Sequence, residues 1–558
     1  MHHTPEHATV GLLPSAGEEI PRPHRRLDPR FLSVAIDFAC LIGAPWWEGT
    51  RRTRVGFGHE RATPVDLTDP RLLRHAQALV PAFLRLGGSE ADRIWYSQEH
   101  GSSLGKPTDQ TTSTGGRPRG RRSASAFRSV LTRTRWNEVS DFARRSGCEL
   151  FVTLNAGAGP RDSHGRWDPT NAQELVTYAA HRGDPVSVWE FGNEVSGFPF
   201  IHGPGSRVSA GRYAADFTVF HDMIRRHAPD ARTAGLASAY WPLVGEMLPF
   251  TPWVVNRLER VPDVITWHYY PQQSSRGLLA TRRADPFKVL RPWRLNGSAH
   301  WARRVLRHAR RVGEDARYSL GEPGHPAGDA GDPSGEAGHP AGDAAYTTPQ
   351  VWLGETGHAL YGGEPGVSDR FVAGIWWLDQ LGLMARSGVR VVVRQSLVGG
   401  DYGLLDTETV TPRPDYWNSL LWKRLMGQHV YAPFYNGSPH LRVYAHNTPH
   451  LEGGVSFLLI NVHRETEIQV ALDASTLGFA PRTLELYTVI APDPWAATLT
   501  INGCPPELPE DSVTPPGHAV DHTPDTPIAV PPLSYVFVVV MPENSDSGDD
   551  RPTMLSMD

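Results

Sequence analysis

Eight short apolar runs between residues 31 and 427 alternate with segments that have the periodicity and end signals of helices. Eight such alternations are the number that a closed barrel of parallel strands requires, so the sequence predicts an α/β fold of the (β/α)8 TIM-barrel class. The predicted strands lie at 31–38, 83–88, 149–154, 188–194, 231–236, 263–268, 351–354 and 389–394.

The predicted helices between these strands carry recognisable start signals. Asp69-Pro70 and Asp168-Pro169 each combine an N-capping carboxylate with a proline suited to the first helical turn. Further helices are predicted at 211–227, 243–259, 299–312, 368–387 and 416–426.

Outside the barrel the residue pattern of the sequence changes. From about residue 430, short β-rich runs separated by turn residues predict a C-terminal antiparallel β-sandwich. Two low-complexity stretches inside the barrel predict disordered loops, and the second contains a tract at 321–330 that returns nearly unchanged at 335–344. The predicted division is a flexible segment 1–27 (in which 8–13 could add an edge strand), a barrel 28–428 with disordered loops near 98–125 and 313–349, a sandwich 429–541, and a disordered acidic tail 542–558.

Composition excludes several classes of function. A net charge of −5 gives the whole molecule no attraction for a polyanion, so we expect no nucleic-acid partner. Three dispersed cysteines and 25 scattered histidines show neither a disulfide framework nor a metal-binding spacing, so no metal or cofactor is expected. No apolar run is long enough for a membrane span, and the first residues do not read as a secretory signal, which predicts a cytoplasmic location.

Two carboxylates stand at the ends of predicted strands, where the active sites of such barrels gather. Glu194 follows Asn193 at the end of the fourth strand, and Glu355 ends the seventh. Either glutamate alone could equally hold a salt bridge, but two together fit glycoside hydrolysis, which uses a proton donor and a second carboxylate. Glu190, inside the fourth strand, is predicted to be structural and to need a partner.

Several motifs together resemble one family. FLRLGG at Phe83, WEFGNE at Trp189, ITWHYY at Ile265 and the long block from Val351 to Trp422 are similar to the heparanase family of retaining β-glucuronidases, and the similarity covers nearly the whole chain. The resemblance implies that Glu194 is the general acid/base and Glu355 the nucleophile. It also implies the following substrate-contacting or positioning residues: Asn193 and Asp37 at the −1 sugar, Tyr270 (or Tyr269) beside the nucleophile, Gly362, Gly363 and Tyr402 at the uronate carboxylate, and Gln395 in the cleft.

The physical interpretation of Gly362-Gly363 agrees, since backbone N–H groups of consecutive glycines can converge on an anion. Taken alone, a simple turn would be the better interpretation of that pair. The expected partner is a glucuronate-containing oligo- or polysaccharide; the polymer, endo or exo cleavage and the oligomeric state stay open.

Departures from the family pattern affect the expected specificity. Mammalian members carry basic residues after the acid/base and beyond the fifth strand, where this chain has Phe198, Phe200, Tyr240 and Trp241. We therefore expect few sulfates on the substrate. The basic run 117–122 is more readily interpreted as a solvated charge cluster than as a substrate contact. Two alternatives remain: a catalytically silent glycan-binding relative, and a glycosidase of the same barrel clan that does not recognise a uronate.

Overall fold

A computed structural model describes residues 4–14, 21–47, 60–99, 127–246, 248–319, 348–511 and 513–543. Its strands are β1 (Glu6–Leu12), β2 (Arg25–Arg26), β3 (Leu32–Asp37), β4 (Pro45–Trp46), β5 (Glu60–Arg61), β6 (Phe83–Gly87), β7 (Ile94–Tyr96), β8 (Ser129–Leu131), β9 (Glu149–Leu154), β10 (Val186–Phe191), β11 (Arg232–Tyr240), β12 (Val264–Tyr269), β13 (Gln350–Thr356), β14 (Val391–Arg394), β15 (His429–Tyr431), β16 (Pro433–Gly437), β17 (Leu441–Asn447), β18 (Val455–Asn461), β19 (Ile468–Leu472), β20 (Pro481–Ile490), β21 (Thr500–Ile501), β22 (Val520–His522), β23 (Ile528–Val530) and β24 (Ser534–Pro542).

The α-helices in the same residues are α1 (Phe38–Ile42), α2 (Pro70–Ala78), α3 (Arg133–Ser146), α4 (Thr170–Arg182), α5 (Phe198–Ile201), α6 (Ala210–His227), α7 (Phe250–Val255), α8 (Pro292–Leu295), α9 (Gly297–Ser319), α10 (Phe371–Ser387) and α11 (Pro414–Leu425). None of the helices in the described ranges combines the length and the apolar character needed to cross a membrane.

Eight parallel strands close into a barrel in the order β10-β11-β12-β13-β14-β3-β6-β9, which confirms the predicted fold. In chain order β3, β6, β9, β10, β11, β12, β13 and β14 are the first to eighth barrel strands. All eight predicted apolar runs therefore become neighbours in one sheet, and the C-terminal ends of the strands meet at one mouth.

The barrel interior changes from apolar to polar towards that mouth. Side chains two residues apart on a strand face the same way. An apolar layer that includes Phe83, Phe151 and Val188 lies below, and two residues further along the same strands stand Arg85, Thr153 and Glu190, which are fully buried. This alternation places charged groups inside the barrel directly beneath the strand ends.

Helix boundaries follow the local chemistry of the sequence. The Asp69 side chain accepts a hydrogen bond from the Arg71 N–H, with Pro70 in the first turn, as predicted. The second Asp-Pro pair lies at the start of α4, where the Asp168 carboxylate accepts the Thr170 N–H at 3.0 Å. These contacts satisfy backbone donors that have no partner inside the helix.

The second unit is the predicted β-sandwich. Its two sheets follow the orders β16-β1-β19-β23 and β2-β15-β17-β18-β24-β20-β21, with β22 paired to β20. One core cluster joins residues of both sheets, for example Val10 and Val470 from the first and Phe457 and Val538 from the second. The pairing is antiparallel except between β1 and β19, which run parallel.

The N-terminal segment differs from the prediction. Residues 6–12 were expected to be flexible or at most an edge strand, yet β1 lies inside the four-stranded sheet, between β16 and β19. The reason is its alternating apolar pattern, which buries Ala8, Val10 and Leu12 in the sandwich core. The described residues before Leu27 therefore belong to the sandwich unit, which resumes at Leu420, whereas Asp493–Thr498 group with the barrel.

The predicted helix at 243–259 is wrong over most of its length. Only Phe250–Val255 is helical. Leu243 has a left-handed backbone (φ 72°), and Gly245 and Pro249 interrupt any helix before Phe250.

The predicted disordered loops are only partly described. Helix α9 continues to Ser319, so the start of the loop expected at 313–349 is helical, because helix-forming Glu314, Ala316 and Arg317 extend it. Residues 320–347, with the repeated tract, and 100–126, with the basic run 117–122, lie outside the described residues, as does the tail after 543.

The central position of β1 predicts a sharp difference between two adjacent leucines. Leu12 is 1% exposed in the sandwich core and Leu13 is 49% exposed. Leu12→Ala should lower the free energy of unfolding by about 2–5 kcal/mol, because it removes buried methyl groups and leaves a cavity. Leu13→Ala is the matched control and should stay within about 0.5 kcal/mol. Thermal unfolding of the two variants checks this, and equal midpoints would contradict the assigned role of β1.

Candidate active site

Glu194 follows directly on the fourth barrel strand in a constrained turn. Its backbone is left-handed (φ 54°), as is that of Gly192 (φ 76°). The Glu194 N–H donates to the Ala237 carbonyl at 3.0 Å, which ties the turn to the fifth strand. A non-glycine residue in this conformation costs roughly 1–2 kcal/mol, and such strain is typical of functional positions.

Glu355, on the seventh strand, is held by two strong donors. The Tyr270 hydroxyl donates to Oε1 at 2.8 Å, and the Arg85 Nη1 donates to Oε2 at 2.9 Å. Of the two tyrosines that the sequence left open, Tyr270 makes this contact. Both carboxylate oxygens of Glu355 are therefore oriented, and the side chain is 8% exposed.

The two carboxylates meet across the barrel mouth. One carboxylate oxygen of Glu194 and one of Glu355 lie within 4.8 Å of each other and of a His268 ring nitrogen. The His268 Nδ1 is 3.2 Å from Glu194 Oε1 and 3.8 Å from Glu355 Oε2. The fold thus brings together the two glutamates that the sequence predicted as a pair.

The Arg85 guanidinium lies beneath both groups in the polar layer. It donates to Glu190 at 2.8 Å, to Glu355 at 2.9 Å and to the Asn193 Oδ1 at 2.9 Å. Glu190 also accepts the Thr153 and Thr266 hydroxyls. Burial by itself would raise the pKa of Glu190, but the Arg85 charge, together with smaller contributions that include the Thr266 and Thr153 hydrogen bonds, outweighs burial and lowers that pKa. Glu190 has the structural partner that the sequence required.

The environment of Glu194 favours its protonated form. Burial raises the pKa of the Glu194 carboxyl to about 7, and the Arg85 charge opposes this only in part. A group with this pKa can donate a proton near neutral pH and take it back in a later step. The two glutamates thus have different surroundings, one beside a cation and a phenol, the other desolvated.

His268 has a defined hydrogen-bonding state. Burial lowers its pKa to about 4, so the ring is neutral near neutral pH. Its Nε2 faces the Arg85 Nη2 at 3.4 Å. Because arginine can only donate, we infer that Nε2 carries the lone pair and that Nδ1–H points at Glu194 Oε1.

Asp37 and Gln395 form the opposite side of the mouth. Asp37 caps α1 by accepting the Ala39 N–H at 2.8 Å, and Gln395 Nε2 donates to its Oδ2 at 3.0 Å. Burial raises the pKa of Asp37 to about 8. Asp37 is therefore a neutral group that can both donate and accept near neutral pH.

These side chains line a cleft that is open to solvent. Of the predicted site residues, its wall includes Asp37, Glu194, Tyr270, Glu355, Gln395 and Tyr402. Asn193 lies just below, where its Oδ1 accepts from Arg85 and from the Gly88 N–H at 3.2 Å. The Tyr402 ring stacks against Tyr270, with centroids 6.2 Å apart.

The structure places Gly362 and Gly363 behind this wall. Both have left-handed backbones, at φ 77° and 91°. A side chain on Gly362 would collide with Trp47, and the Gly363 N–H donates to the Ala359 carbonyl at 3.2 Å. Their neighbour Tyr361 lines the cleft instead. Binding of a carboxylate by these two glycines stays a prediction.

The aromatic residues expected after the fourth and fifth strands divide into two groups. Phe200 and Trp241 line the cleft. Phe198 is fully buried, and Tyr240 is 3% exposed. Only the first pair can touch a ligand in the cleft.

Two groups of three side chains among the described residues have metal-binding proximity, Glu194/His268/Glu355 and Glu6/His440/His463. In the first, the inferred Nδ1–H of His268 faces the carboxylates as a donor. In the second, the His463 Nδ1 accepts the Glu465 and Thr466 N–H groups, so its proton lies on Nε2 and no lone pair is left for a metal. In these hydrogen-bonding states, His268 and His463 do not fit a metal ligand.

Sequence reasoning missed Arg85 and His268. Both stand in motifs that were recognised, FLRLGG and ITWHYY, but only their strands were interpreted. The available signal was an arginine and a histidine in otherwise apolar strands, since a charged group facing a barrel interior needs a buried partner.

Comparison with known proteins agrees with this geometry. Residues 31–329 and 343–382 match the family described as glycosyl hydrolase family 79, N-terminal domain. The chain is 30% identical to heparanase-like protein 1 of Arabidopsis thaliana, over 80% of this chain and 72% of that protein. It is 25% identical to the baicalin-β-D-glucuronidase of Scutellaria baicalensis, over 88% and 86%. The structure of the Thermotoga maritima α-L-arabinofuranosidase, at 14% identity, superposes with a TM-score of 0.57 over 96% and 99% of the two chains, which shows the shared fold.

Removing the central cation should be far more damaging than removing a surface one. Arg85→Met leaves Glu190 and Glu355 buried without a counter-charge and should lower the free energy of unfolding by about 3–5 kcal/mol. The matched control is Arg71→Met, whose side chain is 61% exposed in its pair with Asp69 and should change the midpoint little. Denaturant unfolding measures both variants. Similar midpoints would show that the Arg85 pairs do not stabilise the barrel.

Proposed function

The chain belongs to glycosyl hydrolase family 79, and we propose that it hydrolyses β-D-glucuronides with retention of configuration. The observation that carries the mechanism is the separation of the two carboxylates, whose nearest oxygens lie within 4.8 Å. Retaining glycosidases hold their carboxyl groups about 5–5.5 Å apart, whereas inverting ones leave about 6.5–9.5 Å for a water molecule. The spacing supports the retaining mechanism.

In the first step, Glu355 attacks the anomeric carbon and Glu194 protonates the departing glycosidic oxygen. The leaving group departs as a neutral alcohol or phenol, and a glycosyl ester forms on Glu355. The Tyr270 hydroxyl and the Arg85 guanidinium, which hold the two oxygens of Glu355 at 2.8 and 2.9 Å, aim the carboxylate.

In the second step, Glu194 acts as a base. Ester formation removes the negative charge of Glu355, so the ionised form of Glu194 becomes easier to reach. Glu194 takes a proton from water, the water oxygen bonds to the anomeric carbon, and Glu355 leaves as a carboxylate. The His268 Nδ1–H, 3.2 Å from Glu194 Oε1, stabilises the charged form in this step.

The remaining polar groups would hold the −1 sugar. The Asn193 Oδ1 already accepts from Arg85 and Gly88, so the amide nitrogen is the part left to donate to a sugar hydroxyl. Asp37 and Gln395, joined at 3.0 Å, offer a second set of donors and acceptors. A catalytically silent glycan-binding protein would have no need for this oriented pair of carboxylates.

The proposal of a glucuronide rests on the relatives and on the phenol of Tyr402 beside the nucleophile. The ionisable cleft-lining side chains among the described residues are the acids Asp37, Glu90, Glu194 and Glu355 and the tyrosines Tyr270, Tyr361 and Tyr402. Burial raises the pKa of Asp37, Glu90 and Glu194, which reduces the repulsion that a uronate carboxylate would meet in the cleft. No lysine or arginine is among the described residues that line the cleft, so it offers no counter-charge for sulfate, which supports the expectation of few sulfates.

Stereochemistry tests the mechanism. Proton NMR of the first-formed product of an aryl β-D-glucuronide should show β-glucuronate before mutarotation. The matching aryl β-D-glucoside is the control and should be cleaved at least tenfold less efficiently, because a neutral hydroxymethyl group leaves donors for the carboxylate unpaired. An α product would overturn the retaining mechanism, and equal cleavage of the glucoside would overturn the uronate preference.

The pH dependence tests the role of Glu194. Because its raised pKa is about 7 and the first step needs the protonated form, kcat/KM should fall as the pH rises through about 7. Glu194→Ala should abolish this alkaline limb and impair substrates with poor leaving groups far more than activated aryl ones. Glu355→Gln is the comparison variant and should lose activity on substrates with either kind of leaving group. Equal losses on both leaving groups for Glu194→Ala would remove it from the acid role.

A further inference from the structure

We propose that the leaving-group side of the cleft binds a flat, apolar aromatic aglycone rather than the next sugar of a saccharide chain; this rests on the proposed glucuronide hydrolysis. The general acid must contact the oxygen of the leaving group, so the aglycone lies on the Glu194 side of the mouth. That side is built by the loops after the fourth, fifth and sixth barrel strands, β10, β11 and β12.

The two halves of the mouth differ in chemistry. From the first, second, seventh and eighth strands and their loops, the cleft receives a mixed set: polar side chains such as Asp37, Ser89, Glu90 and Gln395 beside apolar ones such as Trp46, Trp47 and Leu360. From the loops after the fourth to sixth strands, the described lining residues beyond Glu194 and Tyr270 are mainly Phe200, Ile201, Ala239, Trp241 and Leu279. Tyr270 already donates to Glu355. Within the main cleft, the half that holds Glu194 thus offers one indole N–H and otherwise apolar surface. The polar side chains of Tyr240, His268 and Gln273 line a smaller adjoining pocket.

A sugar on this half would have its hydroxyl groups against aliphatic carbon. Hydroxyls that lose water without gaining a partner weaken binding, so saccharide subsites supply polar side chains around their aromatic platforms. Ile201 and Leu279 supply none. A planar ring system needs only apolar contact and an aromatic face, which Phe200 and Trp241 provide.

The solvent exposure of two of these side chains also supports an apolar ligand. Leu279 is 46% exposed and Phe200 is 39% exposed, and both line the cleft. Exposed apolar side chains that line a cleft are typical of a surface that binds an apolar ligand. The neighbouring Leu278 is equally exposed at 46% but does not line the cleft, so it provides a matched control.

The test compares kcat/KM for phenyl and 2-naphthyl β-D-glucuronide, whose leaving groups have similar acidity, on the full-length enzyme. Burial of the second ring should make the naphthyl compound about tenfold better. Leu279→Ala and Phe200→Ala should reduce this ratio severalfold, whereas Leu278→Ala should leave it unchanged. A selective loss on the larger ring is a result that general destabilisation would not produce.

Three results would overturn the inference. The first is a naphthyl-to-phenyl ratio near one, with phenyl glucuronide still cleaved, which would leave the proposed function intact. The second is an equal effect of Leu278→Ala and Leu279→Ala on the ratio. The third is faster cleavage of a glucuronate-terminated disaccharide than of the naphthyl compound, despite its poorer leaving group. If no β-glucuronide is cleaved at all, the proposed function and this inference fail together.

Discussion

The buried guanidinium of Arg85 is the interaction on which the site depends. It is always charged, it is fully buried, and it has two carboxylates as hydrogen-bonded counter-charges, Glu190 below and Glu355 above. A third hydrogen bond reaches Asn193, the residue before Glu194. Since a buried charge without partners is very costly, the strands that carry these residues cannot shift independently. One side chain from the second strand therefore sets the relative positions of groups from the fourth and seventh.

The chemical difference between Glu194 and Glu355 is a product of their neighbours. Glu355 has a cation and a phenol on its two oxygens, whereas Glu194 has a neutral histidine and is otherwise desolvated. Identical side chains thus stand in opposite electrostatic surroundings. The layering inside the barrel contributes to this difference. The apolar layer beneath the charged groups keeps them in surroundings of low dielectric constant, and electrostatic interactions there are stronger than in water.

Sequence reasoning predicted what depends on local pattern and failed where distant partners decide. The strand-end positions of Glu194 and Glu355 follow from periodicity and turn residues, and the eight alternations were sufficient for the barrel. The role of Arg85 was not predictable in this way, because its partners lie 105 and 270 residues further along the chain. The packing of Gly362 against Trp47 likewise depends on a loop from another strand. The N-terminal strand was underestimated because its two partner strands lie in the other half of the sequence.

The position of β1 between two strands from the end of the chain has a consequence for the order of folding. Ala8 of β1 pairs with Gly437 on one side and Val470 on the other. At a synthesis rate of about 5–20 residues per second, β1 leaves the ribosome roughly 20–90 s before both partner strands exist. During that interval the barrel strands can pair with one another, while β1 keeps two open edges and the apolar side chains of Val10 and Leu12 in water. The sandwich is thus completed late, by contacts of very high sequence separation. Its earliest strand is a segment that a nascent-chain chaperone would meet unpaired.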